Sequence, residues 1–176
     1  MKHKLNIHVK ICLLVSMSLI LSYFKIPIIP VAPFLTLDLA VLPLLETGLL
    51  FGQRYGLLAI LFKNVLYWIL QGANLMTGIG VFSTFISDLI LLFVVLKEWN
   101  KTRAGMVWMA TLSLTLIMVV LNAFVIMPVY IHVWQMQLDI SLGTYLAIAV
   151  VPFNLVKGVV TTLALLFINR RLKHFL

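Results

Sequence analysis

Apolar runs of roughly 20 residues recur along this chain, each closed by lysines, arginines or turn-forming residues. A run of that length, wound as an α-helix, matches the ~30 Å hydrocarbon core of a bilayer. The runs predict spans from about Val9 to Ile29, Asp38 to Gly52, Tyr55 to Gln71, Ile79 to Leu96, Met106 to Tyr130 and Thr144 to Ile168. Composition agrees. Hydrophobic residues make up 63% of the 176 positions and charged residues only 10%, with a mean hydropathy of +1.15. Soluble domains sit near half apolar and a quarter charged, so water is not the main solvent. The expected architecture is an all-α integral membrane protein, a six-transmembrane helix bundle forming one domain over residues 1–176. The second span is short for a crossing. It is expected to be tilted, packed inside the bundle, or continued by the Pro30 to Leu37 segment.

Basic residues orient the bundle. Lys2, Lys4 and Lys10 precede the first span and Arg54 separates the second from the third. Lys97, Lys101 and Arg103 separate the fourth from the fifth, and Arg170, Arg171 and Lys173 follow the sixth. These are alternate connections, and the intervening ones carry only Lys25. The positive-inside rule therefore places both termini in the cytoplasm. On this reading the formal charge of +8 reflects topology and lipid headgroups rather than nucleic acid. The first apolar run lacks a small-residue cleavage site and continues into Pro27 and Pro30, against a cleaved signal peptide.

Ionisable residues inside a span cost about 2.5 to 3.5 kcal/mol each on insertion scales and so need a reason. Lys157 lies mid-span in the sixth run, and Asn154, three residues earlier, shares its helix face. Pro152 loosens the backbone just outside them. Asn122 lies in the outer part of the fifth span. Asp38 and the segment Gln71-Gly72-Ala73-Asn74 with Thr77 fall at the same outer end. Amides, one cation and aromatic walls such as Tyr67, Trp68, Phe124 and Trp134 would suit a small polar, partly aromatic solute. The alternatives are a snorkelling lysine, an interhelical asparagine bond, and aromatics anchored at the lipid interface. Lys63 and Asn64 in the third span have Glu46 and Asp88 as candidate neutralising partners, so a structural ion pair and ligand contact stand side by side. Ser18 and Ser22 form a small-xxx-small pair, suited either to a partner helix or to internal packing.

Other chemistry is disfavoured. Gly78-Ile79-Gly80 has no preceding strand and no Lys-Ser/Thr, so it is a tight lead-in to the fourth span rather than a phosphate loop. His3, His8, His132 and His174 are scattered without ligand spacing, Cys12 is the single cysteine, and no nucleophile-base pair is evident. No enzyme activity, metal or cofactor is expected.

The runs Pro33-Phe34-Leu35-Thr36-Leu37-Asp38 and Leu61-Phe62-Lys63-Asn64-Val65-Leu66 are followed by Leu121-Asn122-Ala123-Phe124-Val125-Ile126-Met127-Pro128-Val129-Tyr130 and Pro152-Phe153-Asn154-Leu155-Val156-Lys157-Gly158. In this order and spacing the chain resembles the substrate-binding S components of energy-coupling factor (ECF) vitamin transporters, with the riboflavin branch closest. The resemblance implies a bacterial cell-membrane protein that binds a vitamin on the outer side. It implies docking on a transmembrane coupling protein that carries two cytoplasmic ATPases, and toppling in the membrane to release the vitamin inside. It assigns ligand contact to Asn122, Asn154 and Lys157, and partner docking to Ser18 and Ser22, where the family commonly has alanine. Two polar positions of the riboflavin pattern are absent: the first motif reads Asp38-Leu39-Ala40-Val41, and the start of the fourth span reads Gly80-Val81-Phe82-Ser83-Thr84-Phe85. Riboflavin leads. Pantothenate and pyridoxine- or pyrimidine-type compounds are the alternatives, and Lys157 suits a carboxylate. A stand-alone ion-coupled carrier, a membrane enzyme and an assembly subunit are the competing classes; the first has no discontinuous helix pair in its favour.

Overall fold

The computed structural model describes residues 2–135 and 140–172, with side-chain surroundings from Ile7 onward. The chain is a helical bundle with one small ribbon. Helix α1 spans Lys2–Leu21, strands β1 and β2 are Ile26–Pro27 and Thr36–Leu37, α2 is Val41–Phe51, α3 Gln53–Leu70 and α4 Leu75–Glu98. Helix α5 (Arg103–Leu121) runs through a π-helical turn, Asn122–Ile126, into α6 (Met127–Trp134). Helix α7 (Leu142–Tyr145) runs likewise through a π turn, Leu146–Val150, into α8 (Val151–Leu172). Three continuous helices, Leu75–Glu98, Arg103–Val133 and Leu142–Arg171, are long and apolar enough to cross a membrane; Ile7–Leu21 and Val41–Phe51 are shorter apolar helices.

The first expected span is cut short. Helix α1 ends at Leu21, well before Ile29, because Pro27 and Pro30 disfavour a helical backbone at and before them. Residues 22–40 instead fold back, with Ile26 paired to Leu37 and Pro27 to Thr36 in antiparallel register. The second expected span becomes an 11-residue helix of about 16 Å. Val41 through Gly48 are all buried, so α2 is packed inside the bundle, one of the three arrangements expected for it. Gly52 makes the reversal from α2 to α3 in one residue, at φ +97° and ψ 164°, a region essentially restricted to glycine.

Small residues then let the helices close up. A Cβ at Gly56 would sit 2.9 Å from the Gly48 backbone and 2.9 Å from Leu92 of α4. A Cβ at Gly158 would sit 2.7 Å from the Thr111 backbone, at the most extensive helix contact of the molecule, α5 on α8. Close backbone approach of this kind replaces the hydrophobic drive that lipid cannot supply. The main core joins Val41, Leu44 and Leu45 of α2, Ile60 of α3, Leu91, Leu92 and Val95 of α4, Leu114 of α5 and Leu165 of α8. A second cluster holds Ala32 of the folded-back loop against Met127, Tyr145, Ala149 and Val150.

The glycines at 78 and 80 are not a lead-in. Asn74 caps α4 by accepting from the Thr77 amide at 2.8 Å, so the helix starts at Leu75 and both glycines lie within it. Gly78 leaves room for the Trp68 indole, whose Nε1 would be 3.1 Å from an added Cβ.

Candidate functional site

The two π turns shape the site. Pro128 and Pro152 follow them closely, and a proline removes an amide donor and crowds the carbonyl four residues back. Those carbonyls, of Phe124 and Ile148, lie within the π turns. The turns widen to bonds spanning five residues, from the Met127 amide to the Asn122 carbonyl and from the Val151 amide to the Leu146 carbonyl. Single widened turns of this sort concentrate at functional sites. Here they bracket Asn122 on one helix and lie just before Asn154 on the other.

Both asparagines are held alike. The Asn122 amide donates to the Met118 carbonyl at 2.8 Å, and the Asn154 amide to the Val150 carbonyl at 2.8 Å. Each Nδ2 thus spends one of its two N–H donors on its own helix, which leaves the second N–H and the Oδ1 uncommitted to that helix. The Asn154 Oδ1 is buried with no partner. Asn122, Asn154 and Lys157 line one cavity of about 390 Å³, within the roughly 300–1,000 Å³ of small-molecule sites. They are 4%, 2% and 7% exposed, and polar side chains that deep without full partners are costly unless a ligand engages them. The Ser87 hydroxyl on the same wall is also buried and unpaired.

Asp38 and Thr77 line the cavity too. Asp38 has a second task, accepting from the Ala40 amide at 3.1 Å to set the start of α2. Trp68 and Asn74 do not line it. The Trp68 indole donates to the Asn74 carbonyl at 3.0 Å, tying the end of α3 to the start of α4, and Trp68 faces a separate apolar groove with Leu61 and Phe82. Of the expected aromatic walls, Tyr67 alone among the described residues contributes; Phe124 is 77% exposed on the outside of the bundle, and the Trp134 side chain lies outside the described residues.

Other residues complete the wall. Phe34, Tyr130 and Phe153 supply its aromatic surface, with the Phe34 ring 6.3 Å from Tyr145 and 6.5 Å from Tyr130. Ser83 and Thr84 supply hydroxyls where the fourth-span motif departs from the riboflavin pattern. Lys25 lies at 5.0 Å over the Tyr67 ring, and Gln71 donates to the Tyr67 hydroxyl at 3.0 Å. Phe34 belongs to a motif already visible in the sequence, but only the ribbon brings it and Lys25 over the cavity.

Lys63 pairs with Asp88, Nζ to Oδ2 3.5 Å, both 1% exposed. The Asn64 amide reaches the same oxygen at 3.4 Å. Glu46, the other expected partner, stays apart with neither carboxylate oxygen hydrogen-bonded. Lys63 does not line the cavity, whereas Lys157 does and also acts electrostatically on Asp88. Ser18 and Ser22 turn inward. They are 0% and 2% exposed; Ser18 donates to the Ala40 carbonyl and Ser22 to the Ser18 carbonyl. Both hydroxyls are thus engaged within the bundle.

An apolar helical bundle with a polar cavity at one end has the form of a membrane protein that binds a small solute. The family model "ECF transporter, substrate-specific component" matches residues 8–168, and the chain belongs to that family; it is not an enzyme. It is 30% identical to "Riboflavin transporter RibU" of Streptococcus thermophilus, over 94% of this chain and 82% of that one. It is 28% identical to RibU of Staphylococcus aureus, over 99% and 97%, and 26% identical to "Riboflavin transporter FmnP" of Bacillus subtilis, over 96% and 92%. A solved structure described as the S component of a bacterial ECF transporter superposes with a TM-score of 0.82, at 26% identity over 98% of both chains.

Proposed function

We propose that this chain captures riboflavin from outside the cell and presents it for uptake by an ECF module. The observation that carries the reading is the trio of Asn122, Asn154 and Lys157 around the 390 Å³ cavity. Each amide offers an accepting oxygen and its remaining N–H, and the ammonium donates. That set complements a flat heterocycle carrying an imide N–H between carbonyl oxygens, with Phe34, Tyr130 and Phe153 available for its apolar surface. The riboflavin transporters among the relatives point the same way. Ser83, Thr84 and Gln71 offer polar contacts in place of the two motif positions this chain lacks.

In the proposed topology the chain crosses the membrane six times, with both termini and the basic loops in the cytoplasm. The cavity then faces outward, since it is built from the ends of α3 and α5 and the starts of α4 and α8. Transport depends on a transmembrane coupling protein and two ATPases. The outward apolar stripe of α1, Val9, Leu13, Met17 and Ile20, is the better candidate for that contact than Ser18 and Ser22.

The test is purification of the lone chain from cells supplied with riboflavin. A flavin absorbance near one per chain is expected, lost in the Asn154→Ala, Lys157→Ala double variant. A colourless protein that binds pantothenate instead would overturn the assignment of the vitamin.

A further inference from the structure

At the end of the bundle opposite the vitamin cavity, α5 and α8 enclose a second, smaller one of about 90 Å³, lined by Trp99, Arg103, Met106, Leu166, Asn169 and Arg170. Arg103 is the first residue of α5 and Arg170 lies in the last turn of α8, so two guanidinium groups converge from different helices. Neither has a hydrogen bond or ion pair among the described residues. Their neighbours are engaged. Lys101 pairs with Glu98 at 2.9 Å, and Arg171 lies at 5.5 Å over the Phe167 ring.

We infer that this cavity binds the phosphate of an anionic phospholipid in the leaflet at that end. Guanidinium pairs hold phosphate oxygens by two-pronged hydrogen bonds. The positive end of the α5 dipole lies at Arg103 and adds to the attraction, and basic pockets between membrane helices take lipid headgroups in this way. The apolar half of the ligand is accounted for as well. Phe167 and Leu163 lie three and seven residues before Arg170 on the same side of α8 and are 62% and 52% exposed, so an acyl chain has a surface beneath its headgroup. A free anion would gain nothing from that stripe, and a soluble acidic partner would not reach it within the bilayer.

The experiment is native mass spectrometry of the full chain released from nanodiscs of phosphatidylcholine with phosphatidylglycerol. The wild type is expected to retain one phosphatidylglycerol in preference to phosphatidylcholine. Arg103→Gln with Arg170→Gln should lower that preference by on the order of tenfold or more. The charge-matched Lys10→Gln, Arg54→Gln protein should keep it. Cooperative melting of both variants in phosphatidylcholine alone checks that they are folded, independently of any vitamin. Equal losses in the two variants would reduce the effect to diffuse surface charge. Stabilisation by inorganic phosphate alone, matching that by the lipid, would make this an ion site. Either result overturns the inference, as does a wild type with no preference.

Discussion

Each cavity asparagine anchors one N–H of its amide to its own helix, so its oxygen is held at a fixed place for a ligand. Truncating Asn154 to alanine removes that acceptor and frees the Val150 carbonyl. A loss of about 1–3 kcal/mol in binding is expected, roughly five- to 150-fold in affinity, read by quenching of ligand fluorescence. Lys157→Ala should add to it. Lys63 is a different kind of lysine, tied to Asp88 behind the cavity wall. Lys63→Ala leaves a buried carboxylate without its partner and should destabilise the chain by roughly 3–5 kcal/mol, seen as a lower melting temperature in detergent. The double change Lys63→Met, Asp88→Leu should recover much of that stability; no recovery would mean the two residues act separately. The sequence could name both lysines as exceptional, because a charge in an apolar span stands out. It could not assign their jobs, which depend on which of Glu46 and Asp88 crosses over to α3.

Helices in lipid are apolar on the face toward their neighbours and on the face toward the membrane, so periodicity marks where a helix lies but not which side is inward. The last four expected spans fall within a few residues of α3, α4 and the two π-interrupted helices, whereas Ser18 and Ser22 on α1 could not be placed on a face. The ribbon of residues 22–40 is not legible in the sequence because Ile26, Ile28 and Ile29 are apolar enough to extend a span, and only Pro27 and Pro30 argue otherwise. Backbone geometry gives sharp expectations at this level. Gly52→Ala places a side chain at φ +97° with no steric neighbour, so its expected loss of about 1–3 kcal/mol would be conformational strain alone. Gly158→Leu meets the Thr111 backbone and should lower the melting temperature further. Pro152→Ala restores an amide near the π turn before Asn154; relaxation toward a regular helix would rotate Asn154 relative to the opposite wall of the cavity. Weaker ligand binding with unchanged or raised thermal stability is the expected signature.

The whole molecule divides its labour between two ends, a polar cavity at one and a ring of basic residues at the other, with tightly packed glycines between. As the substrate-specific component of an ECF transporter, the lone chain reconstituted in liposomes should bind vitamin but not accumulate it under an ion gradient; gradient-driven uptake would make it a carrier in its own right. The Lys63–Asp88 pair has a consequence for how such a molecule is made. Helix α3, with Arg54 and Lys63, is not among the helices apolar enough to span a membrane unaided, while its successor α4 carries the neutralising carboxylate across a turn of only four residues, 71–74. In the proposed six-span topology the two are expected to partition into the bilayer as a hairpin rather than one at a time. A ribosome-bound nascent chain stopped after α3 should leave that segment outside the hydrocarbon, and extension through Asp88 should carry both in together.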